Sequence, residues 1–266
     1  MCASPILLLM LASVSEAGGA LPPDAKQPFK SDKPAKEVFN GYYLRSPSKF
    51  KMYVSRLAYE KSDEAKGVPL AHLDAELARI AEIFPETALK SLRQVPVWVE
   101  WDHVIPRSVK AYAVYYGGTG HALDTEGVDP RKAGCVVVLS LKTAHDMKSK
   151  QKLKQNVLLH EFAHAIHQAL FGFDNAYIIN AYDQAVSRDL YVRVKHDDGE
   201  KRDAYAITSS AEYFAELTCA YFDRLDYYPH DAKELKDYDS VGYELMTKAY
   251  GTTEQIEALK KKGKKK

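Results

Sequence analysis

The sequence predicts an α+β protein: a small mixed sheet, one helix rich in titratable side chains, and a helical C-terminal subdomain. Three observations point there. Short runs of β-branched and aromatic residues are concentrated between Phe50 and Leu141. Residues 157–171, Val-Leu-Leu-His-Glu-Phe-Ala-His-Ala-Ile-His-Gln-Ala-Leu-Phe, have helical spacing with neither Pro nor Gly. From Ser209 to Tyr250 the apolar residues recur at helical intervals. With 266 residues the chain suffices for one ordinary domain or two small ones with a substantial core.

The ends differ from the middle. Pro5 to Val14 is a Leu-rich apolar run, too short to span a bilayer, followed by small residues that suit cleavage after Ala17 or Ala20. Residues 1–20 are therefore expected to be a signal peptide, although no Lys or Arg precedes the run, and the protein is expected to be secreted or extracytoplasmic. Residues 21–40, rich in Pro and Lys, are expected to be a flexible linker, and 41–255 the folded domain. Residues 256–266 form a basic tail, with six Lys between 260 and 266; a weak contact with an anionic surface is the functional reading of it. Without those six, 31 basic residues face 36 acidic ones, a net of −5, so nothing suggests a nucleic-acid surface. After signal removal no transmembrane span is expected. Cys135 and Cys219 then remain, either as a pair or as two buried thiols, and this is not a disulfide scaffold.

In chain order, Lys49 to Glu60 alternates as a first strand should, and Leu70 to Phe84 has amphipathic helical spacing. A short helix is expected near Thr87–Leu92. Val95 to Trp101 is a strand whose Pro96 suggests an edge. Lys110 to Tyr116 is another strand. Gly117-Gly118-Thr119-Gly120 is a turn, since no Lys-Ser/Thr completes a phosphate loop. Cys135 to Leu141 is the strongest strand in the chain and suits a substrate aligned by β-augmentation. A helix over about 152–171 follows, ended by Gly172, and another over Ala176–Val186. Asp197-Asp198-Gly199 predicts a hairpin between Leu190–Val194 and Ala204–Ile207. Helices near Ser209–Asp223, Ala232–Tyr238 and Val241–Tyr250 complete the chain.

The chemistry is concentrated in His160-Glu161-Phe162-Ala163-His164. Residues four apart share a helix face, so both imidazoles aim at one point, as a tetrahedral zinc ion requires. Glu161 sits about 100° round the helix, within reach of a water at that metal. Leu158, Phe162, Ile166 and Ala169 fall on the opposite face and are expected to anchor the helix. Taken alone, the pentapeptide is also compatible with a buried helix carrying two satisfied histidines. A third ligand must come from elsewhere. Glu212 and Glu216 lie one turn apart on an otherwise apolar and aromatic helix, and buried carboxylates need partners. Ser209-x-x-Glu212 is also a capping box, which employs Glu212 without a metal but leaves Glu216 unexplained. The rival ligand His167 has the wrong spacing for a three-histidine helix and is expected to line the cleft or to be hydrogen-bonded.

Tyr205, separated by six residues from Glu212-Tyr-Phe-Ala-Glu216, completes a pattern that, downstream of His160-Glu161-Phe162-Ala163-His164, resembles the catalytic-domain family of anthrax lethal factor, and the wider group of lethal-factor-like secreted metallopeptidases. The likeness covers roughly residues 95–250, with Gly127-Val128-Asp129-Pro130, Gly172-Phe173-Asp174-Asn175, and Tyr227-Tyr228-Pro229 with Glu234-Leu235-Lys236 in support. The resemblance implies a zincin-like fold in which His160, His164 and Glu212 bind Zn2+. It implies Glu161 as general base, Tyr205 as a transition-state hydrogen-bond donor, and Glu216 as partner of a ligand histidine. The chain lacks any comparable set of targeting domains, so no kinase-cleaving activity is carried over. The expectation is a zinc-dependent endopeptidase acting on a peptide or protein substrate. An inactive zincin-fold binding protein and a zinc hydrolase of a non-peptide bond are the alternatives.

Overall fold

A computed structural model describes residues 37–39, 41–84, 86–103, 112–118, 128–150, 152–252, 255, 256, 258 and 261. The expected signal peptide, most of the linker and the last five residues lie outside these. Among the described residues no helix is long and apolar enough to cross a membrane.

A six-stranded mixed sheet is built from β1 (Glu37–Phe39), β2 (Tyr42–Arg45), β3 (Met52–Ser55), β4 (Val97–Val99), β5 (Ala113–Tyr116) and β6 (Cys135–Val138). Its order is β1-β2-β3-β4-β6-β5. The centre is parallel, with Val54 beside Val99 and Val99 beside Val138, while β2 and β5 run antiparallel to their neighbours. Alternation then sorts the faces. Met52, Val54, Val97, Val99, Val136 and Val138 point into the main core, whereas Trp98, Cys135, Val137 and Leu139 form a second cluster behind the sheet.

Between the strands lie α1 (Arg56–Glu64), α2 (Val68–Ile83), α3 (Glu86–Leu92) and α4 (Leu141–Ser149). The metal-motif helix α5 (Val157–Ile166) follows, continued by a π-helical turn at His167–Phe171. Then come α6 (Ala176–Ser187), a small hairpin of β7 (Val194–Lys195) and β8 (Lys201–Arg202), α7 (Ser210–Phe222), α8 (Ala232–Tyr238) and α9 (Ser240–Ala249). This is the expected α+β arrangement, compatible with a zincin-like fold.

Several boundaries differ from expectation, each for a local reason. β1 lies at the end of the stretch read as linker, and Ile256, at the start of the expected tail, is buried. The strand expected over Lys49–Glu60 is only Met52–Ser55, the third in the sheet, because Ser55 accepts the Ala58 N–H and starts α1. The strand at Cys135 ends before Leu141 for the same reason: the Ser140 hydroxyl accepts from Thr143 N and opens α4, a helix absent from the sequence reading. Pro96 does not mark an edge. β4 is central, and Pro96 sits just before it, where its carbonyl still accepts the Val136 N–H. Ala204–Ile207 is not the returning strand of the hairpin; Tyr205–Ile207 is a 3-10 turn. Cys135 and Cys219 are both free and buried.

Candidate metal centre

Helix α5 starts later than its apolar pattern suggests. Asn156 caps it, accepting the Leu159 N–H at 2.9 Å, so Lys152 to Gln155 is a non-helical approach rather than a first turn. Glu76 of α2 accepts the Leu158 N–H at 3.0 Å, placing a carboxylate at the helix N-terminus, where the macrodipole favours it. Leu158, Phe162 and Ile166 are buried as expected, and Phe162 meets Phe50 at 5.4 Å between ring centroids. Ala169 is exposed, contrary to expectation. The π turn inserts extra arc after Ile166 and shifts the phase of every later side chain.

On the opposite side three donor atoms converge. His160 Nε2 lies 3.1 Å from His164 Nε2 and 3.0 Å from Glu212 Oε2, and His164 Nε2 lies 3.2 Å from the same oxygen. Glu212 comes from α7, whose first turn is capped by Ser209 accepting the Glu212 N–H at 3.1 Å. The two readings of Glu212 are thus compatible: its backbone is capped while its carboxylate reaches the histidines.

Glu216, one turn further along α7 and 2 % exposed, faces His160 Nδ1 at 2.9 Å. It also accepts Gln155 Nε2 at 2.8 Å. A His160 that gives its Nδ1 hydrogen to Glu216 presents a bare lone pair at Nε2. That lone pair faces a second imidazole nitrogen and a carboxylate oxygen, an arrangement that needs a cation. Ligands of a tetrahedral ion with bonds of about 2.0–2.1 Å lie about 3.3–3.4 Å apart, so the triad fits a divalent metal with little adjustment. Burial opposes a proton on His160, but the hydrogen bonds of Cys219, Glu212 and Glu216 outweigh it and hold its pKa well above the imidazole range. Burial likewise works to raise the Glu212 carboxyl, yet His160 and His164 bring it down to about 2. The raised imidazole reports the carboxylates around His160, and the lowered carboxyl reports the two imidazoles that meet Glu212, so the three donors are mutually coupled.

Glu161 is buried beside the triad. Burial pushes its carboxyl up, partly offset by His160 and His164, and the Tyr115 backbone hydrogen-bonds it. That contact locates the open edge of the sheet. The Tyr112 and Tyr116 carbonyls bond towards β6, so the backbone of Tyr115 points the other way, where no described strand pairs with it. β6, expected to align substrate, has β4 and β5 on its two sides; the strand beside Glu161 is β5. Gln168 of the π turn donates to Gly117 O at 2.6 Å and ties the end of β5 to the metal helix.

Tyr205 is half exposed, with its ring centroid 6.1 Å from that of His160. Burial and then the Glu212 charge raise its pKa, so its phenol keeps its proton at neutral pH. His167 is neither at the cleft nor hydrogen-bonded. The π turn swings it inward, where both ring nitrogens are buried without a partner against Phe214 at 4.7 Å and Phe173 at 5.0 Å. Burial, then the neighbouring His164, drives its pKa down to about 3, so it is neutral.

The sequence reading missed Gln155 and its support. Asp226 accepts the Lys154 and Gln155 N–H groups, each at 2.9 Å, and so fixes the approach to α5. No periodicity or motif marks these residues; only the fold brings position 226 to position 155.

No curated protein and no solved structure matches the chain. Residues 121–250 match the family model described as glucose-regulated metallo-peptidase M90, and not the lethal-factor family that the motifs resemble. The matched segment holds α5, α7 and all three converging donors, and over it the chain is similar to a family of metallopeptidases.

Proposed function

We propose that the chain is a zinc-dependent endopeptidase. The convergence of His160 Nε2, His164 Nε2 and Glu212 Oε2 within 3.2 Å of one another, beside the buried Glu161, carries the reading. A zinc ion held there supplies Lewis acidity, making a water acidic enough to deprotonate near neutral pH and polarising a carbonyl. Everything else falls to the chain. Glu161, whose burial already favours the protonated form, takes the proton of the attacking water and passes it to the departing amine. Glu216 and Gln155 hold His160 in one tautomer and orientation. With the Tyr115 N–H engaged by Glu161, the outward-facing backbone of Ala113 and the Tyr115 carbonyl offer an extended peptide main-chain hydrogen bonds. Tyr205 donates its phenolic hydrogen to the developing oxyanion, a role drawn from the lethal-factor-like pattern and supported by its place beside Glu212. Export, supported by the Leu-rich run at Pro5–Val14, gives the enzyme extracytoplasmic proteins as substrates.

The test is metal content and hydrolysis of an unstructured protein. Zinc-loaded wild type is expected to hydrolyse it, and His164→Ala, keeping two of three ligands, to lose both the metal at this centre and activity. An active, metal-free wild type rejects the proposal. Tyr205→Phe is expected to lower kcat by about 10- to 100-fold with zinc content unchanged, the effect of losing one oxyanion donor. Unaltered turnover removes Tyr205 from the mechanism.

A further inference from the structure

Helices α2 and α4 pack side by side, and each contributes one histidine at the contact. His72 Nδ1 and His145 Nδ1 lie 3.4 Å apart, with ring centroids at 5.1 Å and planes inclined by 30°. As a hydrogen bond this separation is long, since N–H donors are usually about 2.9–3.0 Å from their acceptors. As a pair of metal ligands it is well matched: two imidazole nitrogens at about 2.0–2.1 Å from a tetrahedral ion sit about 3.3–3.4 Å apart. Both side chains are half-buried, which leaves room for solvent ligands. Ser149 Oγ, one turn along α4, lies 3.2 Å from His145 Nδ1 and adds a third polar atom.

The surroundings keep the pair ready for a metal. Burial, then His145 and Lys148, lowers the pKa of His72, so its ring is neutral at neutral pH, as a ligand must be. Lys148, whose charge acts on His72, is engaged by Glu76 at 2.9 Å and by Gln155 O at 2.6 Å. These contacts form a second rung between the same helices, one turn beyond His72 on α2, and this rung holds the start of α5. Glu76 accepts Leu158 N, its carbonyl accepts Asn156 Nδ2 at 3.0 Å, and Lys148 holds the Gln155 carbonyl.

We propose that His72 and His145 form a second metal site, separate from the triad. It takes a divalent late transition-metal ion that favours imidazole, Cu2+, Ni2+ or Zn2+, and water completes the coordination. The bound ion pins α2 to α4 and braces the helix pair that carries the start of the catalytic helix. This site does not depend on the endopeptidase reading.

The test uses the full chain with the triad loaded with zinc, titrated with Ni2+ by calorimetry and followed by thermal melting. Wild type is expected to take up one Ni2+ per chain and to melt at a higher temperature with it. His72→Gln and His145→Ala, each made separately and each shown to melt cooperatively, are expected to lose that binding and that shift while retaining the triad's zinc. Absence of a nickel site in wild type, or its retention in both variants, overturns the proposal.

Discussion

Glu161→Gln is expected to lower hydrolysis of an unstructured protein by about 10²- to 10⁴-fold, the contribution of a positioned general base. The substitution keeps the size of the side chain and an oxygen that can accept the Tyr115 backbone hydrogen bond, so the seat of β5 against α5 survives. It leaves His160, His164 and Glu212 untouched, so zinc content should not change. What it removes is the ability to take a proton, and burial of Glu161 makes proton uptake favourable in the native chain. Equal hydrolysis by wild type and variant, at equal zinc content, ends the claim that Glu161 is the base. Loss of zinc in the variant assigns it a structural role instead.

Asp239→Ala is expected to destabilise the protein by about 3–5 kcal/mol, read as a lowered denaturant midpoint. The Asp239 side chain is the shared acceptor of the helical C-terminal region. Its Oδ2 takes the Tyr213 hydroxyl at 2.6 Å and the Tyr191 hydroxyl at 2.9 Å, and its Oδ1 caps α9 through Gly242 N at 2.9 Å. Asp239, Tyr191 and Tyr213 are all almost fully buried. Truncation leaves two buried phenols without an acceptor and one helix without its cap, and each loss costs on the order of 1–3 kcal/mol. The damage reaches the metal centre, because Tyr213 follows Glu212 directly on α7. Asp239→Asn, which keeps an oxygen and much of the shape, should lose less. A change under about 1 kcal/mol for Asp239→Ala would show that water satisfies the phenols and that the cluster is dispensable.

His160, His164, Glu161, Glu212 and Glu216 were legible because helical periodicity is local. Residues four apart share a face whatever the rest of the chain does, so pairs of histidines and carboxylates announce themselves. The same holds for the runs that became α2, α7, α8 and α9. Three of the shifted boundaries share one source: side-chain caps, which depend on a single hydroxyl or amide. Ser55 and Ser140 cut two strands short, and Asn156 delays α5. The π turn at His167–Phe171 likewise changes the phase of a helix whose sequence looks continuous, burying His167 and exposing Ala169.

The sequence alone therefore determined the donor set: which residues can face one point on each of two helices. Only the tertiary structure decided that the two points coincide. Glu212 lies 52 residues from His160 along the chain, and Gln155 lies 61 from Glu216 and 71 from Asp226. No local rule relates positions so distant. Their meeting is set by how α5 packs on the sheet and how α7 packs on α5. Packing of that kind is a property of the whole core, so the sequence names the donors and the fold brings them together.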